Sequence, residues 1–85
     1  MKIDLTQPNP TIEAADLGKL LGLDPADVLA LMRSGEITSR FETGVDEDAG
    51  TYRLTFWYKR IRVRLTCDVE GTVINTTRVT AERPA

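Results

Sequence analysis

The sequence predicts an α+β fold, with two short helices packed on one face of a four-stranded antiparallel β-meander. Three observations carry that reading. Apolar residues recur at the helical period over about residues 12–34, and Gly22 and Gly35 punctuate that stretch. From Glu36 onward the apolar period drops to two, over four successive runs that reach about residue 80.

Lys2 to Leu5 can form a short N-terminal edge strand through Ile3 and Leu5, ended by Pro8 and Pro10. The first helix is expected to start between Thr11 and Glu13, either of which can cap it, and to bury Ala14, Leu17, Leu20 and Leu21. Gly22 is its left-handed stop. Asp24 as N-cap and Pro25 at the first helical position open the second helix, which is expected to turn Val28, Leu29, Leu31 and Met32 inward and to end at Gly35.

The strands test one another. If Lys59 and Arg60 form a two-residue hairpin turn, Tyr58 meets Ile61, Phe56 meets Val63, Leu54 meets Leu65 and Tyr52 meets Cys67. Every apolar residue then shares one face, and Arg53, Thr55 and Trp57 share the other with Arg62, Arg64 and Thr66. A slip by one residue would mix the faces. Asp68-Val69-Glu70-Gly71 suits a type I turn that pairs Asp68 with Thr72. Pairing Phe41 with Tyr52 and Ile37 with Phe56 keeps the same face inward in the first hairpin. Two helices cover only one face of such a sheet, so the other stays open.

Composition narrows the chemistry. With 85 residues the chain reads as one domain spanning 1–85, and 41% hydrophobic with 28% charged residues is ordinary for a folded protein. There is no histidine and only one cysteine, Cys67, so the commonest general base and zinc ligand are missing and no internal disulfide can form. No catalytic constellation, cofactor motif or metal-ligand spacing is present, and a non-enzymatic role is expected. Met1 to Leu5 lacks a signal-peptide pattern and no apolar run approaches a membrane span, so a cytoplasmic protein is expected. Cys67 falls on the inward face as core filler.

Charge is polarised along the chain although the net value is only −2. Between Thr51 and Thr66, Arg53, Lys59, Arg60, Arg62 and Arg64 stand with no acid among them, and Glu42, Asp46, Glu47 and Asp48 precede them. The open face is expected to carry Arg40, Arg53, Arg62, Arg64 and Arg78 around Trp57, with Arg40 opposite Arg53 and Arg62 opposite Arg78. Like charges so placed cost stability unless something neutralises them. Three readings remain open. Glu36, Glu42 and the acidic loop with Glu47 and Asp48 can mask the arginines as a solvated ion-pair network. Another protein, including a second copy in a homodimer, can dock there. A nucleic acid or phosphate anion can use the guanidiniums, with Trp57 as a stacking platform, although one aromatic is thin for a single-strand binder.

The helix pair, from Ala15 through Gly22 to Gly35, looks like the helix-turn-helix of excisionase- and regulator-type DNA-binding domains. The second helix of that motif enters the major groove with basic or amide side chains at its leading end. Here Asp24 and Asp27 stand at that end, where phosphates repel them.

A wider resemblance rests on Gly22-Leu23-Asp24-Pro25, Gly35-Glu36-Ile37-Thr38-Ser39-Arg40, Glu47-Asp48-Ala49-Gly50 and Arg53-Leu54-Thr55-Phe56, with Tyr58, Arg62, Arg64 and Leu65. These residues resemble a family of short bacterial proteins known as domain of unknown function 6522. The likeness implies a bacterial, more narrowly proteobacterial, single-domain protein. It marks Arg40, Glu47, Asp48, Arg53, Arg62 and Arg64 as motif positions and implies no activity, cofactor or partner.

From the sequence, then, an interaction module that self-associates or binds protein through Arg40, Arg53, Trp57, Arg62, Arg64 and Arg78 is expected. Nucleic-acid or anion binding by the same face is the alternative, and DNA binding by the helix pair comes last. No membrane, metal or cofactor is expected.

Overall fold

The computed structural model describes residues 1–6, 10–44 and 50–80. Eight elements follow in order: β1 (Ile3–Asp4), β2 (Thr11–Ile12), α1 (Ala14–Leu21), α2 (Pro25–Ser34), β3 (Ile37–Thr43), β4 (Tyr52–Tyr58), β5 (Ile61–Cys67) and β6 (Val73–Thr80). The last four form an antiparallel sheet in the order β3-β4-β5-β6, and β1 pairs with β2 in a separate two-stranded ladder. The α+β architecture is the one read from the sequence.

The helices sit where the apolar stripe and the glycines place them. Leu17 and Leu21 of α1 and Val28 of α2 are buried against Ile37, Leu54, Phe56, Val63, Leu65 and Cys67 of the sheet. Gly22 and Gly35 both adopt the left-handed conformation at the helix C-termini. Two details differ. Thr11 belongs to β2 and Glu13 occupies the N-cap of α1 without a side-chain cap, and Asp24 likewise makes no cap hydrogen bond at α2. Leu29 and Met32 are 53% and 40% exposed, because α2 buries only the narrow stripe of Val28 with Leu31 half-covered beside it.

The β4–β5 hairpin has the expected register throughout, from Tyr58 opposite Ile61 to Tyr52 opposite Cys67. Lys59 takes a left-handed φ of 53° at the turn, and its ammonium lies 5.3 Å from the Tyr58 ring centroid. The β5–β6 turn closes as read, with Asp68 N–H donating to Thr72 O and Gly71 N–H to Asp68 O. Asp68 Oδ1 also accepts from the N–H groups of Glu70 and Thr72, at 2.9 and 3.0 Å.

Two registers correct the sequence reading. In the first hairpin Phe41 faces Leu54 and Ile37 faces Tyr58, two residues from the expected pairing. A slip of two preserves the faces, so hydrophobic alternation cannot detect it. The observed register pairs all seven residues of β3 with all seven of β4, and Phe41 stacks on Tyr52 at 5.6 Å between centroids. The second correction is a β-bulge between Thr66 and Cys67. Cys67 faces Val73 but Thr66 faces Asn75, so Ile74 has no opposite residue. Every residue of β6 beyond the bulge lies on the face opposite to the one expected.

The N-terminal segment joins the sheet at that bulge. Ile3 N–H donates to Gly71 O at 2.7 Å, Val73 N–H donates to Met1 O, and Lys2 bridges to Thr72. The expected edge strand is therefore a short clasp over the β5–β6 turn, with Ile3 buried in the core.

Candidate functional site

The sheet face away from the helices is organised in three rows. Strand alternation puts Arg53, Thr55 and Trp57 on that face of β4, and register then supplies their neighbours. Arg40, Thr55, Arg64 and Thr77 form one row. Thr38, Trp57, Arg62 and Val79 form the second. Glu42, Arg53, Thr66 and Asn75 form the third. Side chains directly opposite in such rows have Cβ atoms about 4.5–5.5 Å apart, so Arg40 and Arg64 flank Thr55 in the middle row, with Arg62 beside Trp57 in the row on one side and Arg53 beside Glu42 in the row on the other.

The expected site is thus assembled by Arg40, Arg53, Trp57, Arg62 and Arg64, and Arg78 is not part of it. Beyond the bulge Arg78 faces Val63 on the helix side, where its Nε donates to Leu20 O at 2.7 Å. Leu20 carries one of the last carbonyls of α1, which lack an intrahelical partner, so Arg78 acts as a cationic cap on that helix. The expected like-charge oppositions are also absent. Arg40 faces Thr55, Glu42 faces Arg53, and Arg62 faces Val79.

The masking acids divide. Glu36 is turned toward its own loop, with Oε2 at 3.0 Å from Ser34 Oγ. Glu42 stands beside Arg53 across the β3–β4 pair. Glu47 and Asp48 lie outside the described residues. Among the described residues, no hydrogen bond or ion pair reaches the guanidiniums of Arg40, Arg53, Arg62 or Arg64.

Sequence reasoning missed Thr55 as a site residue. It lies on the open face yet is only 1% exposed. Among the described residues neither Thr55 Oγ1 nor the buried Nε of its cross-strand partner Arg64 has a hydrogen-bond partner. Alternation predicts the direction of this side chain but not its burial.

Comparison with known proteins reaches the same level as the motif positions. The profile of a family of unknown function, DUF6522, matches residues 1–85, the whole chain. The chain belongs to the DUF6522 family. No curated protein and no solved structure matches it.

Elsewhere, Cys67 is buried, and burial together with the nearby Asp68 carboxylate pushes its thiol pKa up. A raised pKa depletes the thiolate that nucleophilic or redox chemistry needs. Among the described residues no three His, Cys, Asp or Glu side chains cluster to hold a metal, and no helix is long and apolar enough to cross a membrane. The leading end of α2 exposes Asp24, Ala26 and Asp27.

Proposed function

We propose that this chain is a non-enzymatic interaction module that takes an acidic polypeptide segment on its open arginine face. The observation that carries the reading is the patch itself. Arg40 and Arg64 flank Thr55 in the middle row, Arg62 stands beside half-buried Trp57 on one side of that row and Arg53 beside Glu42 on the other, all on the sheet face away from the helices, with no ion pair to any of these arginines among the described residues. Guanidiniums with no acceptor among the described residues keep their donors for a partner, and a segment carrying carboxylates forms charge-assisted hydrogen bonds with them.

A protein partner fits better than a nucleic acid because the patch holds a single tryptophan, whereas single-strand binders stack several bases. Trp57 among the guanidiniums still supports a short single strand as the second reading. The exposed acids at the leading end of α2 speak against DNA reading by the helix pair.

Trp57 is the sole tryptophan, so its fluorescence reports directly on this face. Titration with poly-L-glutamate at low salt should change that fluorescence saturably, weaken with added salt as exposed charges are screened, and be lost in Arg62→Glu. Tighter binding of a single-stranded oligonucleotide would favour the second reading. A dimeric solution mass with Trp57 protected would assign the face to a second copy. No response to either polymer, with a monomeric mass, would refute the proposal.

A further inference from the structure

The two unpartnered buried groups on the arginine face are neighbours, and together they specify more than a diffuse positive patch. Thr55 and Arg64 are directly opposite across β4 and β5, Thr55 is 1% exposed, and both Thr55 Oγ1 and Arg64 Nε lack a partner. Buried polar groups in folded proteins are overwhelmingly hydrogen-bonded, so two adjacent exceptions call for a cause. Resting on the binding face above, we infer that Thr55 Oγ1 and Arg64 Nε form an anchor for one carboxylate of the acidic partner, with Arg40 beside it.

The chemistry of the donors selects the ligand. Arg64 Nε–H can only donate, and the Thr55 hydroxyl can turn its hydrogen outward, so the group that satisfies both is an acceptor. Arg40 lies opposite Thr55 on the other side, which makes an anionic acceptor preferable to a neutral one. A carboxylate offers two coplanar oxygens, matching the side-on edge of a guanidinium with a hydroxyl next to it. A phosphate carries a third oxygen and up to twice the charge, and calls for further donors. Access requires the side chains that cover the two atoms to move aside, and exposed side chains such as Arg40 change rotamer in picoseconds to nanoseconds.

Thr55→Val tests the anchor, because valine keeps the branched shape and removes the hydroxyl. Relieving an unsatisfied buried group should raise Tm by about 4–8 °C in a domain of this size. At the same time affinity for poly-L-glutamate should fall about tenfold or more, with its salt dependence unchanged because every guanidinium remains. Arg64→Lys keeps the charge but loses the Nε–H edge, and should weaken binding by a similar factor, whereas Arg62→Lys should not. Acetate should compete better than inorganic phosphate at matched ionic strength. If the parent binds and both Thr55→Val and Arg64→Lys bind equally well, the anchor is wrong while the arginine face stands. Stronger competition by phosphate would overturn the carboxylate assignment. A Thr55→Val protein that loses stability would show the hydroxyl to be a structural element and overturn the inference. Failure of the parent itself to bind would remove the face and the anchor together.

Discussion

Gly71→Ala should be among the most damaging single-methyl changes in this chain, and the structure says why. Gly71 sits at φ +88°, and a left-handed backbone costs a residue with a Cβ about 1–2 kcal/mol. A Cβ built there would also lie far inside contact distance of the Ile3 carbonyl, with Leu5 Cγ next nearest. Backbone cannot yield cheaply, so the clasp made by β1 must lift. That breaks the 2.7 Å hydrogen bond from Ile3 N–H to Gly71 O, whose net value is about 0.5–1.5 kcal/mol. It also exposes Ile3, now 1% accessible, and a buried isoleucine side chain is worth about 1.5–3 kcal/mol. Together the loss is about 3–6 kcal/mol, a large share of the 5–15 kcal/mol typical of a folded domain. Gly35→Ala supplies the control. Gly35 has nearly the same φ, +83°, but nothing lies within 4 Å of an added Cβ, so only the conformational cost of about 1–2 kcal/mol applies. Urea unfolding at 25 °C, followed by Trp57 fluorescence, measures both variants. The gap between them is the docking energy of the N-terminal clasp. Equal losses in the two variants would mean that the clasp adds nothing to stability.

Further outcomes follow from the same structure. Cys67→Ala removes a fully buried small apolar group and should cost about 1–2 kcal/mol, while in the parent the folded thiol should resist a thiol reagent; rapid native labelling would contradict its burial. Because folding raises the Cys67 pKa, its contribution is complete below the unfolded value of about 8.5 and is lost as pH climbs through the folded value. Stability of the parent should therefore sag at alkaline pH more than that of Cys67→Ala. Asp4 works in the opposite direction, since hydrogen bonds from the Thr6 hydroxyl and N–H to its Oδ1 lower its pKa. Its stabilisation is present above the unfolded value of about 3.9 and is lost as pH falls through the folded one. Asp4→Asn should have a flatter acid limb in a pH series of unfolding midpoints, and an identical limb would count against the Thr6 contacts.

The fold was legible wherever a residue's chemistry permits only one placement. The turn at Lys59-Arg60 was fixed because four opposite pairs agreed on the apolar face and three on the other, and a slip of one would have buried arginine. The β3–β4 pairing escaped because a shift of two leaves every face unchanged. The bulge escaped because Val73 and Ile74 are both apolar, so alternation cannot say which of them faces the core. That ambiguity carried Arg78 onto the wrong face, where a contact 58 residues distant in sequence, to Leu20 O, holds it. Leu29 and Met32 were misplaced because periodicity reports which residues can face a core, not how wide the covered stripe is. Of the candidate site, the arginines and Trp57 could be read from strand parity alone. The burial of Thr55 could not, because strand parity gives the direction of a side chain and not what covers it.

Binding at the arginine face is a claim that a two-dimensional NMR titration of the labelled protein with poly-L-glutamate tests residue by residue. The claim predicts that the side-chain Nε–H signals of Arg40, Arg53, Arg62 and Arg64 and the Trp57 indole signal shift together and saturate together. Signals of Arg78 and of Ala26 to Ala30 in α2 should stay in place. Shifts concentrated on α2, or none on β4 and β5, would contradict it.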